Sequence, residues 1–233
     1  MSALPNWSFS SLAIYEQCPY RFKLAKIDRL PEPPRPPDNP LERGNREHKR
    51  YEDFVKGDVS ALNDCEARSA QAFVPLLQHA QSLYADGLVS IEENWLFDRD
   101  WNVCDRSDVW LWSKLDMNVR DEANCTSVVV DYKTGKSLYK AIEHVQQMQL
   151  YAAATALRQE WADQIVVELW YVDEGHVKQQ IFPREQALSY VGRFDARAQR
   201  IYADRLFRPN PNRVTCRYCP YSPRGTGACP VGV

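Results

Sequence analysis

Val128-Val129-Val130-Asp131-Tyr132-Lys133-Thr134-Gly135 is the stretch that most constrains how this chain can fold. Three β-branched residues in a row argue a buried strand, and the glycine closes it. Asp131 and Lys133 are two apart, so on a pleated strand both side chains leave the same face. A carboxylate beside an ammonium at the end of a buried strand suits metal-assisted hydrolysis. The acid holds a cation, and the lysine steers or deprotonates a water. The same pair serves equally as an exposed ion pair at a strand end, so the rest of the chain has to decide.

Around that strand the pattern alternates between helix and strand periods. Ser8-Phe9-Ser10-Ser11-Leu12 reads as a capped helix start, with Leu12, Tyr15 and Phe22 on one side and Cys18-Pro19 interrupting it. Residues 31–40 hold six of the fifteen prolines and form a stiff connector. Helices are expected over 41–55 and 63–86, the first placing Gly44, His48 and Val55 on one face. Strands follow over 91–97, 109–119 and 127–133. The polar connection 120–126 is short enough for a hairpin that brings Asp116 and Asp131 towards a common point. A helix over 139–161 puts Gln147 and Tyr151 on one face and Leu150, Ala154, Leu157 and Trp161 on another. Residues 164–172 read as an interior strand with a returning partner to 182, and 183–207 as one long helix. The fold class is α/β: a mixed central sheet flanked by helices.

The chain has 233 residues, 44% of them hydrophobic, which is ample for a core. No apolar run approaches the roughly 18–20 residues of a membrane span. The start lacks a secretory pattern, so a cytoplasmic protein is expected. A net charge of -2 excludes a global pull towards nucleic acid, yet residues 193–224 carry eight arginines against two aspartates. That segment is either a solvated face or a hold on a phosphate backbone. Seven cysteines without a secretory signal speak against a disulfide framework. Cys18 stands near the start, Cys216, Cys219 and Cys229 crowd the end, and Cys65, Cys104 and Cys125 read as ordinary thiols.

Two constellations carry chemistry. His48, Asp116, Asp131 and the Tyr132 carbonyl are poor in ligands for zinc but suit Mg²⁺ or Mn²⁺, which keep several waters. Lys133 would orient the attacking water or offset developing charge. Glu92 and Glu93 are further acids between which the sequence does not choose. The four thiols Cys18, Cys216, Cys219 and Cys229 suit zinc or an iron–sulfur cluster equally by count.

Gly44-x-x-x-His48, Leu115-Asp116, Asp131-Tyr132-Lys133 and Gln147-x-x-x-Tyr151 stand in the order and approximate spacing of PD-(D/E)XK nucleases of the RecB type, which the chain resembles. The resemblance implies a restriction-endonuclease-like core in which His48, Asp116 and Asp131 bind Mg²⁺ or Mn²⁺ and Lys133 is catalytic. Gln147 and Tyr151 would line the active site and hold DNA phosphates. Ser113 stands where the family's second motif usually has a glycine. Ser10-x-Leu12-x-x-Tyr15-x-x-Cys18-Pro19 and the trailing cysteines resemble the iron–sulfur clasp of the RecB-type, AddB-type and CRISPR-associated Cas-four nucleases. That implies a [4Fe–4S] cluster joining the two chain ends.

The expectation is therefore one nuclease domain over 1–233, with 8–30 and 208–233 forming an iron–sulfur accessory region. It would act as an exonuclease on single-stranded DNA ends, with recombination, repair or CRISPR-adaptation proteins as partners and no membrane. With no helicase motif or P-loop in the sequence, unwinding would come from a partner. The rivals are an iron–sulfur DNA-binding or assembly module that does not cut, and a zinc-ribbon regulator.

Overall fold

The computed structural model describes residues 6–63 and 65–233. A five-stranded sheet runs in the order β1 (Val89–Phe97), β2 (Leu111–Asp121), β3 (Thr126–Lys133), β4 (Gln164–Tyr171) and β5 (His176–Pro183). Only β3 and β4 pair in parallel, joined by the crossover helix α5 (Ala141–Arg158), and the other neighbours are antiparallel. This is the mixed sheet flanked by helices that the alternating pattern calls for. The remaining helices are α1 (Phe9–Gln17), α2 (Pro19–Phe22), α3 (Pro40–Lys56), α4 (Val74–Ala85), α6 (Arg184–Ser189), α7 (Val191–Ala203) and α8 (Arg213–Arg217).

Each sheet face has its own core. Phe9, Leu12 and Tyr15 of α1, Met148 and Leu150 of α5, and Phe194, Ala198 and Ile201 of α7 pack with Val129, Ile165 and Val167 on one face. Tyr51, Phe54 and Val55 of α3 and Leu77 and Ala80 of α4 cover Val130, Tyr132 and Trp170 on the other. Alternation is strict along β3 and β4, as a strand buried on both sides requires.

Along β1 and β2 it slips. Val89 faces α3 and α4, whereas Trp95 and Phe97 face α1, α5 and α7, although all three are odd-numbered. Leu111 and Leu115 likewise face one core and Met117 the other. The slip centres on Glu92, whose φ is +54°, and on Asp116 opposite it. Both strands shift together, so the register is the same before and after, with only the Glu92–Asp116 pair missing from the ladder. The sheet twists a pair of acids out of both cores at one level.

Two expected helices are shorter than the apolar stripe suggests. In place of 63–86, α4 starts at Val74, because Pro75 lacks an N–H and fits only a first turn. In place of 183–207, α6 and α7 break at Tyr190, and the chain leaves helix at Asp204. The first helix stops at Gln17 with Cys18 extended and Pro19 opening α2, as Cys18-Pro19 implies.

Candidate active site and metal centre

β2 and β3 pair as far as Met117–Val130, and the next pair in register would be Asp116 and Asp131. There the strands part, and the site fills the gap. Asp131, 4% exposed, is held by an ion pair from Lys133 and by the Tyr151 hydroxyl donating to Oδ1 at 2.8 Å. Lys133 also donates to Gln147 Oε1 at 2.8 Å, and Gln147 Nε2 donates to the Tyr151 oxygen at 2.8 Å. Gln147 and Tyr151 are one turn apart on α5, so helix period and strand period close a ring of four side chains. Oδ2 of Asp131 is buried and has the Lys133 ion pair but no hydrogen bond.

Asp116 lies on the other side of the gap. Its Oδ2 accepts the Tyr132 N–H at 2.8 Å and its Oδ1 lies 3.2 Å from His48 Nδ1. Tyr132 thereby turns its main-chain polar groups towards the gap, while its ring packs on Tyr51 and the edge of His48. His48 reaches in from α3 because Gly44, one turn earlier, lets that helix lie close to the end of β3. A Cβ on Gly44 would meet Thr134 Oγ1 at 3.2 Å.

Glu92 completes the set. Among the described residues, His48, Glu92 and Asp116 are the one group of histidine, cysteine or acidic side chains with three ligand atoms within 4.8 Å of one another. Asp131 stands outside that compact set, in the neighbouring ring. Glu93 points the other way and pairs with Arg158 at 2.9 Å. Glu92 itself is ion-paired with Lys114. The strand pattern gives no signal for this choice, since it depends on the slip between β1 and β2.

Charge is unevenly shared in the gap. Burial works against the Asp116 carboxylate, but His48, the Tyr132 N–H and Lys133 outweigh it and hold the carboxyl below the usual range. Asp131 is raised by burial first and by Asp116 next, against the pull of Lys133. Burial lowers His48, yet Asp116 and Asp131 overcome it and the imidazole ends raised. One imidazole nitrogen with carboxylate oxygens, one of them without a hydrogen bond, is a donor set that fits a hard divalent cation.

At the far end of α1, Cys18, Cys216, Cys219 and Cys229 line one cavity together with Arg21, Asn210 and Tyr221. Asn210 N–H points to Cys18 Sγ at 3.5 Å. Burial, first, and then Cys18 and Cys229 among its neighbours raise the Cys219 thiol. Cys65, Cys104 and Cys125 take no part in this cavity. Among the tail arginines, Arg197 pairs with Glu16 and Gln146, Arg193 with Gln149, and Arg217 lies over the Tyr218 ring.

No curated protein matches the sequence. Among the solved structures that match are the following two. SSO0001 shares 14% identity, with 100% of this chain and 90% of that one covered at a TM-score of 0.42. A candidate exonuclease from Eubacterium rectale shares 10%, with 85% and 81% covered at a TM-score of 0.47. The sequence profile of the PD-(D/E)XK nuclease superfamily matches residues 6–224, from before α1 to just short of Cys229. With that span covering nearly the whole chain, the protein belongs to the PD-(D/E)XK nuclease superfamily.

Proposed function

We propose that the protein is a metal-dependent DNA nuclease, an exonuclease on single-stranded ends, with a structural [4Fe–4S] cluster. The observation that carries the nuclease reading is the gap between β2 and β3, where His48, Glu92 and Asp116 converge beside the Asp131–Lys133–Gln147–Tyr151 ring. His48, Glu92, Asp116 and Asp131 would hold Mg²⁺ or Mn²⁺. Such an ion, when bound, supplies charge neutralisation at the phosphoryl oxygen and a more acidic water. Lys133 would orient the attacking water or offset developing charge, and Gln147 fixes the ammonium in place. Tyr151 holds the Asp131 carboxylate at a defined angle. The preference for single-stranded ends rests on the resemblance to the RecB-type and Cas-four nucleases.

The thiol cavity supports the cluster over zinc. Zinc at about 2.3 Å from each sulfur draws four thiolates to about 3.8 Å from one another, and no three of these thiols lie within 4.8 Å of one another. Recombination, repair or CRISPR-adaptation proteins remain the proposed partners.

Lys133→Ala and Asp131→Ala are expected to abolish Mn²⁺-dependent cleavage of labelled single strands while circular dichroism and melting show a folded protein. Undiminished cleavage by either purified variant sinks the nuclease reading. Strands labelled at either the 5′ or the 3′ end, compared with circular strands, separate exonuclease from endonuclease.

A further inference from the structure

The edge of β2 that β3 leaves at Asp116 is taken up again only at Leu111 and Trp112. There the N-terminal segment bridges to it, with Trp112 N–H donating to the Trp7 carbonyl at 2.8 Å. Between these two contacts the edge is open. The opening is a notch of about 230 Å³ bounded by Ser8 and Ser10 at the start of α1, by Trp112, Ser113 and Lys114, and by the catalytic ring at Tyr151.

Three observations give the notch a chemistry. Ser113 is 4% exposed, and its hydroxyl has no hydrogen-bond partner. Strand alternation sends the Lys114 backbone to the same edge as that of Trp112, and Tyr151 OH already reaches the Lys114 carbonyl at 3.4 Å. The residues lining the space include three serines, Trp112, Lys114, Gln147 and Tyr151, and none of them carries a carboxylate. Buried donors without acceptors favour an anion. The Lys114 ammonium is paired with Glu92, so a residue at the notch touches one of the metal set.

We propose that this notch is a phosphate subsite for the bound strand. It takes a phosphate next to the scissile one, with Ser113 Oγ and the Lys114 N–H donating and with Ser8 and Ser10 at its mouth. This rests on the nuclease reading and adds to it where the strand lies: over the β2 edge, between α1 and α5. Ser113 is then the donor that binds this phosphate.

Binding of fluorescent single strands to the full-length protein, with Ca²⁺ replacing Mn²⁺, tests it. The strands carry one neutral methylphosphonate at successive linkages, with a 5′-phosphate or a 5′-hydroxyl. Ser113→Ala is expected to weaken the unmodified strand by about tenfold or more, the scale of one hydrogen bond to a charged group. At one position the neutral linkage and Ser113→Ala should not multiply, because both remove the same contact. Ser10→Glu, on an exposed residue, should show the same coupling through repulsion. Coupling at an internal linkage assigns a backbone phosphate, and coupling to the 5′ group assigns a terminal one. Losses that multiply at every position, in a protein that still cuts with Mn²⁺, overturn the subsite alone. A wild-type protein that neither binds nor cuts overturns the nuclease reading with it.

Discussion

At Glu92 the backbone takes a left-handed conformation that costs a branched or charged residue on the order of 1–3 kcal/mol. That strain turns the carboxylate towards His48 and Asp116 and leaves Glu93 to pair with Arg158. Glu92→Gln is expected to raise the Mn²⁺ concentration for half-maximal cleavage by about tenfold or more. Glu93→Gln should leave it unchanged and cost under about 1 kcal/mol, as a half-exposed ion pair does. A metal titration of cleavage checks both, and equal effects would remove Glu92 from the centre. A different residue sets the response to acid. Burial, and then Lys133, Lys140 and Lys178, lower the His144 imidazole from 6.5 to about 4, with Nδ1 at 2.8 Å from the Tyr171 hydroxyl. The folded protein therefore resists a proton that the unfolded chain accepts. This contribution is complete above pH 6.5 and is lost as pH falls through 4, by at most about 3 kcal/mol. Denaturant melts of His144→Gln in EDTA should show a shallower loss of stability between those pH values than wild type.

At the scale of elements, α3 positions one ligand by how closely it lies on β3. The Gly44 Cβ position is 3.2 Å from a rotatable hydroxyl. Gly44→Ala is therefore expected to hold or raise the melting temperature, helped by about 1 kcal/mol of helix propensity. Gly44→Leu has no room beside Thr134 and should push the helix outward, with His48 four residues on, weakening Mn²⁺-dependent cleavage more than tenfold. Calorimetry and the same metal titration separate the two, and unchanged metal dependence in the leucine variant would contradict this role. The shared faces of Gly44 with His48, Asp131 with Lys133 and Gln147 with Tyr151 were readable from each element's period, and their common role from the resemblance to RecB-type nucleases. Asp116 was placed by hairpin length. Glu92 was not, for a physical reason: residues 89, 91, 95 and 97 are apolar and read as one strand across Glu92-Glu93, which leaves the two acids equivalent. With helices on both faces, either core accepts them, so composition cannot reveal the slip. The 63–86 helix failed similarly, since Ala67 and Ala70 are buried without being in the helix proper.

Across the whole molecule, the two ends of the chain meet at the thiol cavity, and little else holds the tail. Asn210 donates to the Gln17 carbonyl, and Tyr221, 1% exposed, donates to that of Leu30. Helix α1, in contrast, is anchored in the main core through Phe9, Leu12 and Tyr15. A cluster bridging Cys18 to Cys216, Cys219 and Cys229 closes a loop of nearly the full chain. A crosslink over so long a loop is worth about 4–5 kcal/mol by the chain-entropy account. Cys18→Ala is accordingly expected to lose the iron and the brown colour, and to lower unfolding stability by about that amount. Cys104→Ala, away from the cavity, should change neither. Residual metal binding at the gap ought to survive in Cys18→Ala, because its ligands come from α3, β1, β2 and β3 and not from the tail. Strand affinity should fall further than metal affinity, since α1 carries the serines at the mouth of the notch and loses its neighbour. Iron assay, denaturant melts and strand binding on the same preparation read all three. A Cys18→Ala protein that keeps its iron and its midpoint would show that the clasp is not made by these thiols.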